Sequence, residues 1–257
     1  MTSFSDRRAI VTGAGSGNGK AIAELLLDRG AEVALLDVNP DSLQDTVGRY
    51  DRALAVTADV SDEESVRQAL TEVSDAFDHV DLLVNNAGIV RPSKFDELPL
   101  DEWNEVFAVN STGAFLVSQA AMPLLRSAAA RRGEDATAAV VNITSVEAHI
   151  VISSQGFPQV HYNASKGALL LFTRGLAVDA AKHRVRVNAV APGFIETPFT
   201  SATLEDAAVK NWLLERTPMG RIGKPSDVAE AVAFLGSDAA SWITGTTLLV
   251  DGGWTTL

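Results

Sequence analysis

The stretch Tyr162-Asn-Ala-Ser-Lys166 sets a phenol and an ammonium four positions apart. On a helix that spacing returns to the same face, so the two groups can meet while Ser165 points elsewhere. A free tyrosine gives up its proton near pH ~10, and bringing that toward neutrality takes about 4 kcal/mol of preferential stabilisation of the phenolate. A neighbouring lysine charge has the required sign. Tyr162 therefore reads as a general acid/base, with Lys166 tuning it. Taken alone, the pattern also describes an ordinary exposed Tyr/Lys pair. Ser145 adds to it, because its hydroxyl falls at the carboxyl end of an apolar run. Open α/β sheets place ligands there, and the hydroxyl could hold a substrate oxygen beside the tyrosine. An isolated serine at such a place is otherwise a turn residue.

Thr12-Gly-Ala-Gly-Ser-Gly-Asn-Gly-Lys20 is a second candidate site. A triphosphate loop requires Gly, four residues, Gly-Lys and then Ser or Thr. Counting back from Gly19-Lys20 lands on Ala14, and Ala21 follows the lysine, so both ends fail. The pattern G-x-G-x-x-G fails as well, closing on Asn18 from Gly13 and on Lys20 from Gly15. What remains is Thr12-Gly13, three residues, then Gly17-x-Gly19. A turn opening a helix here would direct N–H groups and the positive helix end at an anion, and glycine would admit a pyrophosphate close to the backbone. A tight βα connection without a ligand is the other reading.

Asp37 lies about 20 residues beyond this loop, where a carboxylate can accept both hydroxyls of an adenosine ribose. At an effective dielectric of about 20, a 2′-phosphate ~4 Å away would be repelled by roughly 4 kcal/mol per unit charge. The expected cofactor is NAD rather than NADP; the alternative is an aspartate that only caps the next turn.

These residues need a scaffold. Apolar runs at Ala9–Thr12, Glu32–Asp37, Ala53–Ala58, Leu82–Asn85, Ala139–Ile143, Val185–Ala191 and Thr247–Val250 alternate with longer amphipathic stretches. That is the pattern of βα units around a parallel sheet. Several runs are apolar throughout, as strands covered on both faces should be. Helix starts are marked by Asn39-Pro40, by a capping box at Ser61-Asp-Glu-Glu64 and by Pro225 ahead of Ser226–Leu235. The predicted fold is α/β, a Rossmann-like doubly wound sheet of about seven parallel strands with helices on both faces. Residues 1–257 form a single domain in this reading, with Arg131–Ala136 as a loop.

Composition excludes several partners. A net charge of −12 without a basic stripe argues against nucleic acid and anionic membranes. The absence of cysteine removes disulfides, iron–sulfur clusters and thiolate metal sites. His79, His149, His161 and His183 lack the spacing of a helical metal pair, so no metal is expected. Met1 to Arg8 lacks the apolar core of a signal peptide and no run is long enough to span a bilayer, so a cytoplasmic location is expected. The sequons at Asn110, Asn142 and Asn163 then read as chance matches.

In order along the chain, Thr12-Gly-x-x-x-Gly-x-Gly19, Asp59-Val60, Asn85-Asn-Ala-Gly88, Asn110, Ser145, Tyr162-x-x-x-Lys166, Pro192-Gly193 and Asp251-Gly-Gly253 resemble the short-chain dehydrogenase/reductase family in its compact single-domain form. The resemblance covers essentially the whole chain. It implies reversible hydride transfer between NAD and a secondary alcohol or its ketone, with the hydride chemistry belonging to the cofactor. By the same resemblance, Asn110 joins a proton relay with Lys166 and water, Ser145 positions the substrate oxygen, and Tyr162 transfers the proton. Lys166 also binds the nicotinamide ribose. Gly13, Ser16, Gly17, Asn18 and Gly19 would line the phosphates, Asp37 the adenosine ribose, and Asp59 and Val60 the adenine. Asn86, Ala87 and Gly88 would border the cofactor, with Pro192, Gly193, Ile195 and Thr197 near the nicotinamide. Two sequons are thereby explained, since Asn110 and Asn163 fall at or beside catalytic motifs. A homotetramer is implied too, pairing a long helix near Leu100–Ala129 and the helix starting at Tyr162 between subunits.

The chain departs from the family pattern at three places. Asn18 stands where an aliphatic residue is common, and its amide either reaches the phosphates or faces water. Val146–His161 lengthens the serine-to-tyrosine interval; it forms either a lip of the substrate pocket, with His149 or Gln155 contacting substrate, or a neutral surface extension. The long loop near Arg131–Ala136 has no functional account. The mixed residues from Thr197 to Thr217 favour a modest substrate. A 3-oxoacyl-thioester reductase is the alternative activity, suggested by Gly220-Arg-Ile-Gly-Lys-Pro225 and opposed by Asp37, because such enzymes usually take NADP. A non-catalytic dinucleotide sensor is opposed by the intact Asn110, Ser145, Tyr162 and Lys166.

Overall fold

The computed structural model describes residues 3–133, 136–153 and 156–257. The seven expected strands form: β1 (Arg8–Thr12), β2 (Glu32–Asp37), β3 (Ala53–Thr57), β4 (Leu82–Asn85), β5 (Ala138–Ile143), β6 (Val185–Pro192) and β7 (Thr247–Val250). They build one sheet in the order β3-β2-β1-β4-β5-β6-β7, parallel at every pairing. The helices are α1 (Gly17–Asp28), α2 (Asp41–Val47), α3 (Glu63–Ala76), α4 (Leu100–Phe107), α5 (Gly113–Arg131), α6 (Val160–Ala181), α7 (Ser201–Glu205), α8 (Ala207–Glu215) and α9 (Pro225–Gly236).

Alternate residues of each strand feed opposite cores, as a pleated backbone requires. Ala9, Val11, Val33, Leu35, Val84 and Val141 face α1 and α9. Ile10, Ala34, Leu36, Leu83 and Val140 face α3, α5 and the end of α6. A buried polar chain crosses the second side: Asn85 Nδ2 donates to Ser118 Oγ (2.9 Å) and Asn142 Oδ1 (2.8 Å), and Asn142 Nδ2 donates to Thr173 Oγ1 (2.9 Å). Asn142 is fully buried, which removes its sequon from the surface.

Several expected boundaries are corrected. The cap of α3 is Asp62, whose carboxylate accepts from the Ser65 N–H at 2.7 Å, while Ser61 Oγ donates to Asp59 instead. Asn39 accepts from the Asp41 N–H, so Pro40 sits just outside α2. The long helix near Leu100–Ala129 is broken into α4 and α5 by a π turn at Ala108–Thr112, and α6 opens two residues ahead of Tyr162. Pro225 does open α9, with Asp227 accepting from the Lys224 N–H at 2.7 Å. Arg131 ends α5; Glu134 and Asp135 of the adjoining stretch lie outside the described residues.

Candidate active site

The sheet reverses its direction of growth between β1 and β4, and the carboxyl ends of both strands carry candidate residues. Thr12 ties the two together. Its hydroxyl oxygen accepts from the N–H groups of Asn86 (2.9 Å) and Ala87 (3.0 Å), and Asn86 Nδ2 donates back to the Thr12 and Gly13 carbonyls (3.0 and 3.2 Å). Gly13 has φ +62°, and a Cβ there would lie 2.9 Å from Ala87 Cα, so only glycine allows this approach. Gly17, at φ +52°, faces Thr197 from across the cleft, where a Cβ would lie 3.3 Å from the threonine Cβ. Glycine turn, β4 loop and the segment after β6 thus border one cleft. Pro192 ends β6, the Gly193 N–H donates to the Val250 carbonyl at 3.0 Å, and Ile195 is buried behind them.

A dinucleotide suits these residues. Ser16 caps α1 without a side-chain hydrogen bond and no acidic residue stands in the first turn, so the N–H groups there are open to an anion. Asn18 is half-buried, and its Oδ1 is buried with no hydrogen-bond partner among the described residues. Asp37 points at the glycine turn, accepting from the Gly15 N–H (2.9 Å) and the Asn39 N–H (3.0 Å). Lys20 is drawn away to Asp45 at 2.6 Å, and Arg49 pairs with Glu24. Asp59 and Val60 follow β3 on the same sheet edge; Asp59 Oδ1 is engaged by Ser61, leaving its other oxygen to serve a ligand.

Ser145, Tyr162 and Lys166 converge at the end of β5. The phenol is buried, with the Ser145 hydroxyl near enough to favour its ionised form. Lys166 Nζ lies 5.8 Å from the centre of the Tyr162 ring and donates to the Ile143 carbonyl at 3.0 Å, not to the phenol itself. Ser165 turns to the other side and receives Asn110 Nδ2 at 3.0 Å; the second Asn110 amide hydrogen goes to the Ile89 carbonyl at 2.9 Å. Asn110 is thus locked in place by the π turn that breaks α4 from α5, a feature common at functional sites. Gly88 lies between them, since a Cβ on it would be 3.3 Å from both Asn110 Oδ1 and Lys166 Nζ.

Burial dominates the electrostatics. It pushes the Lys166 ammonium down to about 8 and raises the Tyr162 phenol above its ordinary value, an effect that Glu147 reinforces and Ser145 opposes. The sequence-based expectation that Lys166 lowers the phenol therefore meets a larger opposing desolvation in the protein alone.

A family model described as enoyl-(acyl carrier protein) reductase matches residues 13–255. The 2-(R)-hydroxypropyl-CoM dehydrogenase of Xanthobacter autotrophicus is 39% identical over 98% of this chain and 99% of its own. The chain belongs to the short-chain dehydrogenase/reductase family. Its fold is similar to the crystal structure of a gluconate 5-dehydrogenase from Burkholderia cenocepacia in complex with NADP and tartrate (TM-score 0.89, 34% identity, 99% of this chain and 97% of that one). It is also similar to a 3-ketoacyl-(acyl-carrier-protein) reductase from Brucella melitensis complexed with NADH (TM-score 0.87, 34% identity, 98% and 100%). As a short-chain dehydrogenase/reductase, this protein is an oxidoreductase of alcohols and ketones that uses a nicotinamide dinucleotide.

Two further features border the site of this short-chain dehydrogenase/reductase. The lengthened segment after Ser145 docks on the helices beyond Thr197: Val146 and Ile152 pack with Leu213 of α8, Ile222 and Trp254. Phe199 adds an aromatic wall, its ring centre 6.1 Å from that of Tyr162. His149 is exposed on this segment, and Gln155 lies outside the described residues. The second feature is Glu147, which sequence reasoning did not single out. Asn163 Nδ2 donates to Glu147 Oε2 (2.9 Å) and to its backbone carbonyl (3.1 Å), and burial lifts the carboxyl to about 7. The available signal was a carboxylate two residues past Ser145.

Proposed function

We propose that the protein is an NAD-dependent dehydrogenase of secondary alcohols, running reversibly on the ketones, with residues 1–257 acting as one binding and catalytic unit. The observation that carries this is the convergence of Ser145, Tyr162 and Lys166 on a cleft bordered by the glycine turn and Gly88. Ser145 holds the substrate oxygen and Tyr162 passes the proton to or from it. Burial keeps that proton on the phenol, which suits ketone reduction; in the oxidative direction the Lys166 ammonium stabilises the phenolate. Asn110 shapes the relay behind Lys166 through its lock on Ile89 and Ser165. The bound nicotinamide supplies the hydride acceptor or donor. Gly13, Ser16, Gly17, Asn18 and Gly19 hold the pyrophosphate, Asp59 and Val60 the adenine, Asn86, Ala87 and Gly88 the middle of the cofactor, and Pro192, Gly193, Ile195 and Thr197 its nicotinamide end.

NAD is favoured because Asp37 is pinned toward the glycine turn while Lys20 and Arg49 are held by acidic partners. A 3-oxoacyl-thioester reductase is the second reading, supported by the likeness to the Brucella enzyme. A homotetramer and a cytoplasmic location belong to the same proposal. The first is supported by the exposed apolar residues of α5 and α6; for the second, no described helix is long and apolar enough to cross a membrane.

Tyr162→Phe should lose roughly 10²–10⁴-fold in turnover while keeping its affinity for the cofactor. Equal rates in steady-state assays would remove the phenol from the mechanism. Asp37→Ala should narrow the gap in kcat/KM between NAD and NADP; an unmodified protein that prefers NADP contradicts the cofactor reading.

A further inference from the structure

Glu147 occupies the single turn of 3₁₀ helix, Val146–Ala148, that follows Ser145. Its N–H donates to the Ser145 hydroxyl oxygen at 3.1 Å, which ties the two residues together. Its carboxylate is clamped by Asn163, the residue after Tyr162, and lies near enough to the phenol to act on its charge. No Lys, Arg or His among the described residues forms an ion pair with it, and none of them donates to its Oε1. Burial raises this half-buried carboxyl, and its Oε1 is not closed off, so a further donor can still reach it. Ser145 is held by the Glu147 N–H and Tyr162 precedes the Asn163 that clamps the carboxylate, so a partner bound at those two catalytic residues would arrive beside it.

We propose that Glu147 sets substrate class, pairing with a hydroxyl or ammonium donor carried close to the carbinol carbon and turning away alcohols that carry a carboxylate there. This rests on the hydride-transfer reading of the same site. It makes the preferred substrates polyols or amino alcohols. A purely structural role, pinning the turn to α6 through Asn163, needs only an acceptor, and glutamine supplies one. Glu147→Gln therefore keeps the pin and removes the charge.

The test uses near-isosteric alcohols at about pH 8, where the carboxylate is ionised and the amines are largely protonated. The probes are 2-butanol, 1,2-propanediol, 1-amino-2-propanol and lactate, with 4-amino-2-butanol and 3-hydroxybutyrate as the longer pair. Turnover is read in the parent and in Glu147→Gln. Binding to the cofactor-loaded protein is read by calorimetry in both, and again in a Tyr162→Phe background in which turnover is strongly slowed. The expected result is that the diol and amino alcohols exceed 2-butanol by roughly tenfold in kcat/KM and the hydroxy acids fall below it. In Glu147→Gln this order should collapse through KM and the hydroxy acids should gain, while any change in kcat, which the lost charge beside Tyr162 can cause, should be common to the whole series. An unchanged ranking, or no binding anywhere in the series, overturns the proposal. Binding preferences that follow Glu147 without any turnover in the parent would leave it standing and overturn the dehydrogenase reading instead.

Discussion

Only one side-chain amide, that of Asn163, opposes the burial that lifts the Glu147 carboxyl from 4.5 to about 7. Because the folded-state value lies above that of the unfolded chain, its contribution to stability is fully present below about 4.5 and is lost as pH rises through about 7. Lys166 runs the other way: its value is lowered from 10.5 to about 8, so its contribution is present above 10.5 and is lost as pH falls through about 8. Glu147→Gln isolates the first effect. The variant should melt several degrees above the parent at pH 8, at ~2–4 °C per kcal/mol recovered, and match it near pH 4. Calorimetric scans at both pH values check this, and equal melting temperatures at pH 8 would mean that the carboxyl is not desolvated. Tyr162, Lys166 and Ser145 could be picked out in the sequence because their spacing carries their geometry. Glu147 could not, since a carboxylate in a turn looks like a solvated one until α6 is laid over it.

Strands were easy to find because a parallel sheet covered on both faces requires unbroken apolar runs, and β5 and β6 are buried along their whole length. The break between α4 and α5 was hidden, because a π turn leaves no mark in composition or periodicity. The capping error at Ser61 has a similar origin: Ser61 and Asp62 are both good caps, and Asp59 takes the serine hydroxyl. The extended segment after Ser145 acts as an element by wedging Ile152 among Leu213, Ile222 and Trp254. Ile152→Ala should cost ~2–4 kcal/mol of local packing and loosen α7 and α8. The expected outcome is faster proteolysis between residues 198 and 216 and a KM for substrate raised several-fold, with cofactor affinity held. A variant with unchanged KM and unchanged cleavage would make the segment a surface extension with no part in the pocket.

At the scale of the molecule, β7 closes the sheet with a free edge and is less buried than the central strands. Trp242 nearby is 99% exposed. On another face, Leu171 and Val178, seven residues apart on α6, are 60% and 81% exposed, with Phe115 of α5 alongside Phe172. Two separate apolar faces suit two dyads, the arrangement of a symmetric tetramer. In the proposed tetramer, Val178→Glu should halve the mass measured by light scattering, leaving dimers built on the remaining face. An unaltered mass would place the α6 face outside the assembly. That surface was beyond sequence pattern alone, because exposed apolar positions on a helix read the same as core ones.

The Thr12 hydroxyl, shared between two N–H groups of the neighbouring strand's loop, holds the glycine turn in its receptive shape before any ligand arrives. Docking then freezes little backbone. The heat-capacity change on association will report the surface covered, with scarcely any contribution from a loop condensing around its guest.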